Sequence, residues 1–168
     1  MTETGKEQAL WIKNDLTDNK HIIDKVYSSD LIRARDTAKI AMDIGESQIH
    51  IDPRFRERSF GRVEGTATNN MSLFEVQYLF SLLESGKISR DDIETTSEVE
   101  LRLKNAFKSL ENDKNQVVFT HGGVLQHVLN TLNINDVYLY NCGVIALTIK
   151  NNGEPFALYG YWNKFNSG

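Results

Sequence analysis

The residue in this sequence best placed for chemistry is His121. It follows a short apolar, β-branched run at 117–119, and two glycines, at 122 and 123, separate it from a helical pattern. The N-terminus of a helix offers unpaired N–H groups and a partial positive charge, which suit an anion. Glycines let the backbone approach a ligand where a Cβ would intrude. Taken alone, the stretch fits equally an anion-facing histidine and a histidine that caps a strand–helix turn.

Arg33 is a second candidate because of its position in the chain. It lies in the first turn after Ser28-Ser29, near the carboxyl end of a strand predicted at 22–27, and off the apolar stripe of its helix. A guanidinium there could clamp a phosphate with paired donors. The alternative is a solvated surface arginine.

Glu57 lies in a loop unusually rich in arginine. Arg54, Arg56, Arg58 and Arg62 concentrate positive charge around it, although the chain as a whole is acidic. A carboxyl group beside a bound phosphate ester holds its proton more readily, as a general acid must. The alternative is a loop whose charges satisfy one another through exposed ion pairs of little energetic value.

Hydrophobic periodicity, caps and turn residues predict alternating helices and strands. Two Thr/Ser-x-x-Glu capping boxes, at Thr4–Glu7 and Ser97–Glu100, and an N-cap at Ser28-Ser29 mark three helix starts. The predicted elements are helix 4–17, strand 22–27, helix 30–44, strand 49–51, a long loop at 52–65, helix 71–83 ending at Gly86, helix 98–110, strand 117–120, helix 124–132, and a hairpin of 142–149 with 156–162 around 150–153. This order predicts a three-layer α/β/α fold with a mostly parallel sheet.

Composition limits the classes of protein. A length of 168 residues fits a single domain, 1–168, and the net charge of -4 argues against a general nucleic-acid binder. The single cysteine, Cys142, excludes an intrachain disulfide and a thiolate cluster for zinc. The first 20 residues are too polar for a signal peptide, and no apolar run reaches the length of a membrane span. We therefore expect a cytoplasmic protein with neither nucleic acid nor membrane as partner.

Four stretches, taken together, resemble the histidine phosphatase superfamily, which has the phosphoglycerate mutase-like fold. They occur in the family's order and cover the chain to about residue 125, and the final hairpin is compatible with the family. The matching stretches are Thr2–Ala9, Tyr27–Ala34 with Asp36–Ala38, Glu57–Gly61 with Glu64-Gly65, and Val118–Gly122.

The resemblance implies a role for each candidate. Arg33 matches the family's phosphate-clamping arginine, with Gly122 in the same phosphate site, Glu57 its proton donor to the leaving group, and His121 its second active-site histidine. Family enzymes transfer a phosphoryl group to a nucleophilic histidine and then to water or back to a substrate. They need no metal or other cofactor. The implied partner is a small phosphorylated substrate, and a homodimer is left open.

One motif of the family has no match. Its nucleophile lies in an Arg-His-Gly motif at the end of a first, interior strand, ahead of the segment matched by Thr2–Ala9, and His21, His50 and His127 do not replace it. We expect the fold to lack that first strand. The expectation is either a late start, with about 25 upstream residues completing the enzyme, or a truncated protein without phosphohistidine chemistry.

Two features favour a phosphatase over a mutase. Phe60 stands where the mutase branch has a tyrosine, three residues after the acid, and the stretch between Gly65 and Ser97 is too short for a long substrate-gripping insertion. The hypothesis is a cofactor-independent phosphomonoesterase acting on a small phosphorylated metabolite. The alternatives are a non-catalytic family member that at most binds phosphate and an unrelated α/β ligand-binding domain.

Overall fold

The computed structural model describes residues 1–59, 93–134, 137, 139 and 141–162. The predictions for the second half of the arginine-rich loop, for helix 71–83 and for Gly86 lie outside these residues. The described helices are α1 (Glu3–Asp18), α2 (Ile32–Met42), α3 (Thr96–Lys108) and α4 (Gly122–Thr131), and the strands are β1 (Lys25–Ser28), β2 (His50–Ile51), β3 (Gln116–Phe119), β4 (Val144–Ile149) and β5 (Pro155–Trp162). The mixed α/β class is confirmed.

The strands β2, β1 and β3 form a parallel sheet in that order. Ser28 pairs with Ile51 on one side and with Phe119 on the other, so β1 is the middle strand. The strands β4 and β5 form an antiparallel hairpin, as predicted. Among the described residues this hairpin is a separate sheet. Its turn is closed by a hydrogen bond from Lys150 N to Glu154 O of 2.8 Å.

The chain divides into two compact units, which are described separately: residues 1–57 with 103–168, and residues 58–102. The first unit contains the parallel sheet. Its core joins one face of the sheet to α1 and α2 through Ile12, Val26, Ala38, Ala41, Ile49 and Phe119. In the second unit, Arg102 pairs with Glu94. A single domain over 1–168 stays a prediction.

Two predicted capping boxes were placed in the wrong register. The N-cap of α1 is Thr2, whose Oγ1 accepts a hydrogen bond from Gly5 N at 3.1 Å, rather than Thr4. The capping box of α3 joins Thr95 and Glu98 instead of Ser97 and Glu100. Each segment contains overlapping Thr, Ser and Glu residues, so spacing alone does not select the register.

The predicted N-cap at Ser28-Ser29 is also wrong. Helix α2 begins at Ile32 with Leu31 as its N-cap, and no side chain caps it. The predicted apolar stripe is sound, since Ala34, Ala38 and Ala41 are buried. The strand predicted from Ile22 begins three residues later, at Lys25, and Ile22 is exposed. The two serines therefore belong to the end of β1, which gives their hydroxyl groups other partners.

No helix within the described ranges is both long enough and apolar enough to cross a membrane.

Candidate active site

The candidate site lies at the carboxyl ends of β1 and β3. Parallel pairing of Ser28 with Phe119 continues one residue further, through a hydrogen bond from Ser29 N to Phe119 O of 3.0 Å. The residues that follow the two strands are therefore brought side by side. In open α/β sheets, this is the edge at which ligands bind.

His121 is buried at this edge between a hydroxyl and a guanidinium. Its side chain is 6% exposed, and its Nε2 lies 2.7 Å from the Oγ of Ser29. Its Nδ1 accepts a hydrogen bond of 3.2 Å from the Nε of Arg33. The structure thus brings together two candidates that are 88 residues apart in the chain.

Arg33 reaches His121 from the first turn of α2, while its helix buries the alanine stripe on another face. Arg33 itself is exposed. The Nε edge of the guanidinium contacts the imidazole of His121, while the side chain remains exposed to solvent. It can therefore meet an anion that enters from outside.

Glu57 lies at the N-terminus of α4. Its Oε2 accepts a hydrogen bond of 3.0 Å from the backbone N–H of Gly123. A Cβ on Gly123 would stand 2.4 Å from the Oε1 of Glu57, so only glycine allows this approach. At Gly122, the first residue of α4, a Cβ would meet nothing within 4 Å. The contact with Glu57 therefore requires glycine at position 123, whereas position 122 has room for a larger side chain.

The loop that carries Glu57 is anchored two residues earlier. Phe55 is completely buried, and its ring packs against that of Phe107 on α3 with centroids 5.7 Å apart. Its carbonyl oxygen accepts a hydrogen bond of 2.7 Å from Thr120 Oγ1. Because Thr120 precedes His121, this hydrogen bond holds the loop that carries Glu57 next to His121.

The loop arginines that the structure describes have partners away from His121. Arg54 pairs with Asp52 and also bonds to Asn105 O and Ser109 Oγ. Burial raises the pKa of Asp52, but hydrogen bonds from the Arg54 side chain and backbone outweigh it, and the net pKa is lowered. Arg54 therefore fastens the loop to α3.

Arg56 and Arg58 also have hydrogen-bond partners away from His121. Arg56 pairs with Asp30, and hydrogen bonding from its guanidinium lowers the pKa of that carboxyl group. Within the second unit, the Nε of Arg58 donates to Glu94 O at 2.8 Å. Arg62 lies outside the described residues. Arg54 and Arg56 thus pair with carboxylates, Arg58 bonds to a backbone carbonyl and to the Thr96 hydroxyl, and Arg33 contacts His121.

A cavity of about 820 Å³ adjoins these groups, and its lining includes Arg33, Glu57 and His121. Residues 117–120 of the β3 segment line it consecutively. Because side chains alternate between the faces of a strand, four consecutive lining residues mean that β3 presents its edge. Volumes of this order hold small-molecule ligands.

The remaining candidates for chemistry lie elsewhere or are passive. His21, His50 and His127 are absent from the lining, and His50 stacks on Tyr27 with ring centroids 5.1 Å apart. Cys142 lines the cavity, but burial raises the pKa of its thiol. Within the part of the chain that the structure describes, no group of three or more His, Cys, Asp or Glu residues could hold a metal ion.

Two residues of the site were missed by sequence reasoning. Ser29 was interpreted as a helix cap, although its hydroxyl contacts His121. The sequence points to Gly122 as the phosphate-site glycine and not to Gly123, although the N–H of Gly123 is the one that donates to Glu57. The signal that could have identified Ser29 is its position directly after β1, because the neighbouring strand β3 is followed two residues later by His121.

The model of the histidine phosphatase superfamily (branch 1) matches residues 1–161. The chain belongs to this superfamily. Its resemblance to the family, inferred above from four short stretches, is confirmed. The roles of individual site residues are considered below as proposals.

Relatives carry both mutase and phosphatase names. The chain is 30% identical over 138 residues to a protein of Erwinia tasmaniensis named "Probable phosphoglycerate mutase GpmB", with 79% of this chain and 62% of that protein covered. It is 27% identical to a Hydrogenobacter thermophilus protein that bears the name phosphoserine phosphatase 2 as a provisional assignment, with 98% of this chain and 83% of that protein covered. The chain thus spans about three fifths of the length of the first relative.

Solved structures share the fold. TTHB049 from Thermus thermophilus superimposes with a TM-score of 0.71 at 25% identity, with 96% of this chain and 83% of that one covered. Bacillus stearothermophilus YhfR superimposes with a TM-score of 0.77 at 21% identity, with 95% and 82% covered. The phosphoglycerate mutase-like fold predicted from the sequence is confirmed.

The approach of Glu57 to Gly123 predicts unequal effects of two alanine substitutions. In Gly123→Ala the new methyl group must displace the Glu57 carboxylate from the start of α4, because the side chain yields more easily than the backbone. We expect the free energy of unfolding to change by less than about 1 kcal/mol. Crystal structures and urea unfolding of the variant measure both effects. Gly122→Ala is the matched control, and an unmoved Glu57 in Gly123→Ala would refute the steric constraint.

The ion pair between Asp30 and Arg56 predicts a pH-dependent stability. Because Arg56 lowers the pKa of Asp30 below its ordinary value of 3.8, the pair stabilises the folded chain above that value. The contribution is lost as pH falls through the folded pKa. We expect Arg56→Ala to lower the free energy of unfolding by about 0.2–1 kcal/mol at neutral pH, since the pair is exposed.

Urea unfolding over a pH series, with Asp30→Asn and the double variant, tests this expectation. The difference between Arg56→Ala and the unsubstituted chain should shrink below pH about 4. A difference that persists unchanged into acid would show that the ion pair is not its cause.

Proposed function

We propose that this chain carries the phosphate-binding and proton-donating groups of a phosphomonoester hydrolase that acts on a small phosphorylated metabolite. The observation that carries the proposal is the convergence of Arg33, His121 and Glu57 around the start of α4, beside one cavity. A cation, an imidazole and a carboxyl group at a helix N-terminus suit the binding of a phosphoryl group and the donation of a proton to its leaving oxygen.

Each group has a distinct task. Arg33 binds the equatorial oxygens of the phosphoryl group and neutralises charge that spreads over them. His121 stabilises the same group in transit, and the N–H of Gly122 adds the field of the helix N-terminus, since the N–H of Gly123 is bonded to Glu57. Glu57 lies within reach of a leaving-group oxygen at that position and supplies its proton.

In the family's scheme the reaction has two steps. A nucleophilic histidine forms a bond to phosphorus as the ester P–O bond breaks, and the leaving oxygen takes the proton of Glu57. Water then attacks the phosphohistidine and gives its proton to the Glu57 carboxylate, which releases phosphate. Of the four histidines of the chain, His121 is the one that lines the cavity, so this scheme needs a nucleophile besides His121.

Hydrolysis is favoured over mutase chemistry by the sequence between Glu57 and Ser97. Phe60 replaces the mutase tyrosine, and the segment is short. The alternative function is phosphate binding without turnover. This alternative is favoured by the number of histidines at the site. The described site has a binding cation, an acid and one imidazole, and so has no second histidine to act as the nucleophile.

Phosphate binding should depend on Arg33 and not on its neighbour Arg35. Arg33→Ala removes charge-assisted hydrogen bonds, and we expect the dissociation constant for inorganic phosphate to rise about ten- to a hundredfold. Arg35→Ala is the matched control, because Arg35 lies on the same helix but pairs with Glu46 at 2.6 Å. Titration calorimetry with phosphate, and chloride as a blank, measures both. Equal effects of the two substitutions would contradict the assignment of Arg33.

Turnover separates the hydrolase from the phosphate-binding alternative. We expect the 168-residue chain to bind phosphate but to hydrolyse no p-nitrophenyl phosphate above background. The longest product of its natural reading frame should hydrolyse the ester and show acid-labile phosphohistidine after rapid quenching.

Two results would overturn this scheme. Hydrolysis by the 168-residue chain that is lost in His121→Ala would reveal an unrecognised nucleophile. A stop codon directly upstream of the Met1 codon, with no turnover, would establish the binding alternative.

A further inference from the structure

The start of α4 receives a hydrogen-bond acceptor from a distant segment of the chain. The N–H groups in the first turn of a helix have no partner within the helix. His121, the N-cap residue, directs its two ring nitrogens to Ser29 and Arg33. The N–H of Gly123 instead donates to the Oε2 of Glu57 at 3.0 Å, across 66 positions of sequence. The Glu57 carboxylate therefore caps this helix from outside.

The contact between Glu57 and Gly123 is close. A Cβ on Gly123 would stand 2.4 Å from the Oε1 and 3.1 Å from the Cδ of Glu57, so the carboxyl group lies directly against the glycine. A backbone N–H is a single donor. The Glu57 carboxylate and an oxygen of a bound anion therefore compete for the N–H of Gly123.

The groups around this turn would bring such an anion to the same place. Negative charge is attracted to a helix N-terminus by its N–H groups and its dipole. The guanidinium of Arg33 contacts His121, which is two residues before Gly123. A phosphoryl group held by Arg33 at the start of α4 would thus stand beside the Glu57 carboxylate, and like charges at short range repel.

We propose that Glu57 is an internal anion that a bound phosphoryl group displaces from the N–H of Gly123, which frees the carboxyl group to serve the leaving-group oxygen. The inference rests on the proposed function, because it needs phosphate at the start of α4. The loop backbone is fixed two residues earlier by the completely buried Phe55, so the movement is one of the Glu57 side chain. The acid is brought into use by the arrival of its own substrate.

Crystal structures of the 168-residue chain, grown with and without inorganic phosphate, test the displacement directly. We expect the hydrogen bond between Glu57 Oε2 and Gly123 N in the phosphate-free crystal, and a separation longer than about 3.5 Å in the phosphate complex. Phosphate bound beside Arg33 with the bond between Glu57 and Gly123 intact would overturn the proposal.

A neutral side chain at position 57 tests the competition in solution. In titration calorimetry at neutral pH, we expect Glu57→Gln to lower the dissociation constant for inorganic phosphate about three- to tenfold, because the repelling charge is removed. Asp15→Asn is the matched control. It makes the same change of charge in a residue that lines the cavity from α1, where Asn19 Nδ2 donates to Asp15 Oδ1 at 3.1 Å. It should bind phosphate within about twofold of the unsubstituted chain.

The Gly123→Ala variant separates displacement from a general effect of charge. Its methyl group should move the Glu57 carboxylate away from the start of α4 before any phosphate binds. In that background we expect Glu57→Gln to change the dissociation constant by less than about twofold. An equal gain in both backgrounds would show that charge alone sets the affinity, and would refute the displacement.

Failure of this inference and failure of the proposed function give different results. Phosphate binding that depends on Arg33 but is unchanged in Glu57→Gln would refute the displacement and leave the phosphate site in place. If neither the unsubstituted chain nor Glu57→Gln binds phosphate, the proposed function fails, and the displacement fails with it.

Discussion

The parallel pairing of β1 with β3 is the constraint on which the candidate site depends. Four residue pairs, from Lys25 with Gln116 to Ser28 with Phe119, set the register. The backbone bond from Ser29 to Phe119 then extends it to the candidate site residues. A shift of one residue would turn every side chain to the opposite face, and the hydroxyl of Ser29 would no longer reach His121.

The fold class could be predicted from the sequence because hydrophobic periodicity is strong in most elements. The position of a cap could not, because Thr, Ser and Glu recur in adjacent registers near α1 and α3. Ser29 shows the physical reason most clearly. A serine between a strand and a helix has the composition of a cap, yet α2 begins three residues later, and the hydroxyl serves a residue 92 positions away in the chain. Local patterns do not encode such long-range partners.

The candidate residues Arg33, Glu57 and His121 could be found from motifs, but their geometry could not. The arginine-rich loop indicated a positive field around Glu57, whereas Arg54 and Arg56 are bound to Asp52 and Asp30. Their charges hold the loop rather than a ligand. A sequence gives the sign of a charge and its neighbours in the chain, but the choice between an internal carboxylate and an external anion is made by packing.

The groups that meet at His121 are far apart in the sequence, and this separation determines when the site forms during folding. The hydrogen bonds of His121 to Ser29 and Arg33 close loops of 92 and 88 residues, and the bond between Gly123 and Glu57 closes one of 66. Such contacts repay the entropy of loop closure only after the sheet has paired. The site therefore has no local precursor during folding. We expect its candidate groups to assemble in the same cooperative step as β1 and β3 and to be lost together when those strands separate.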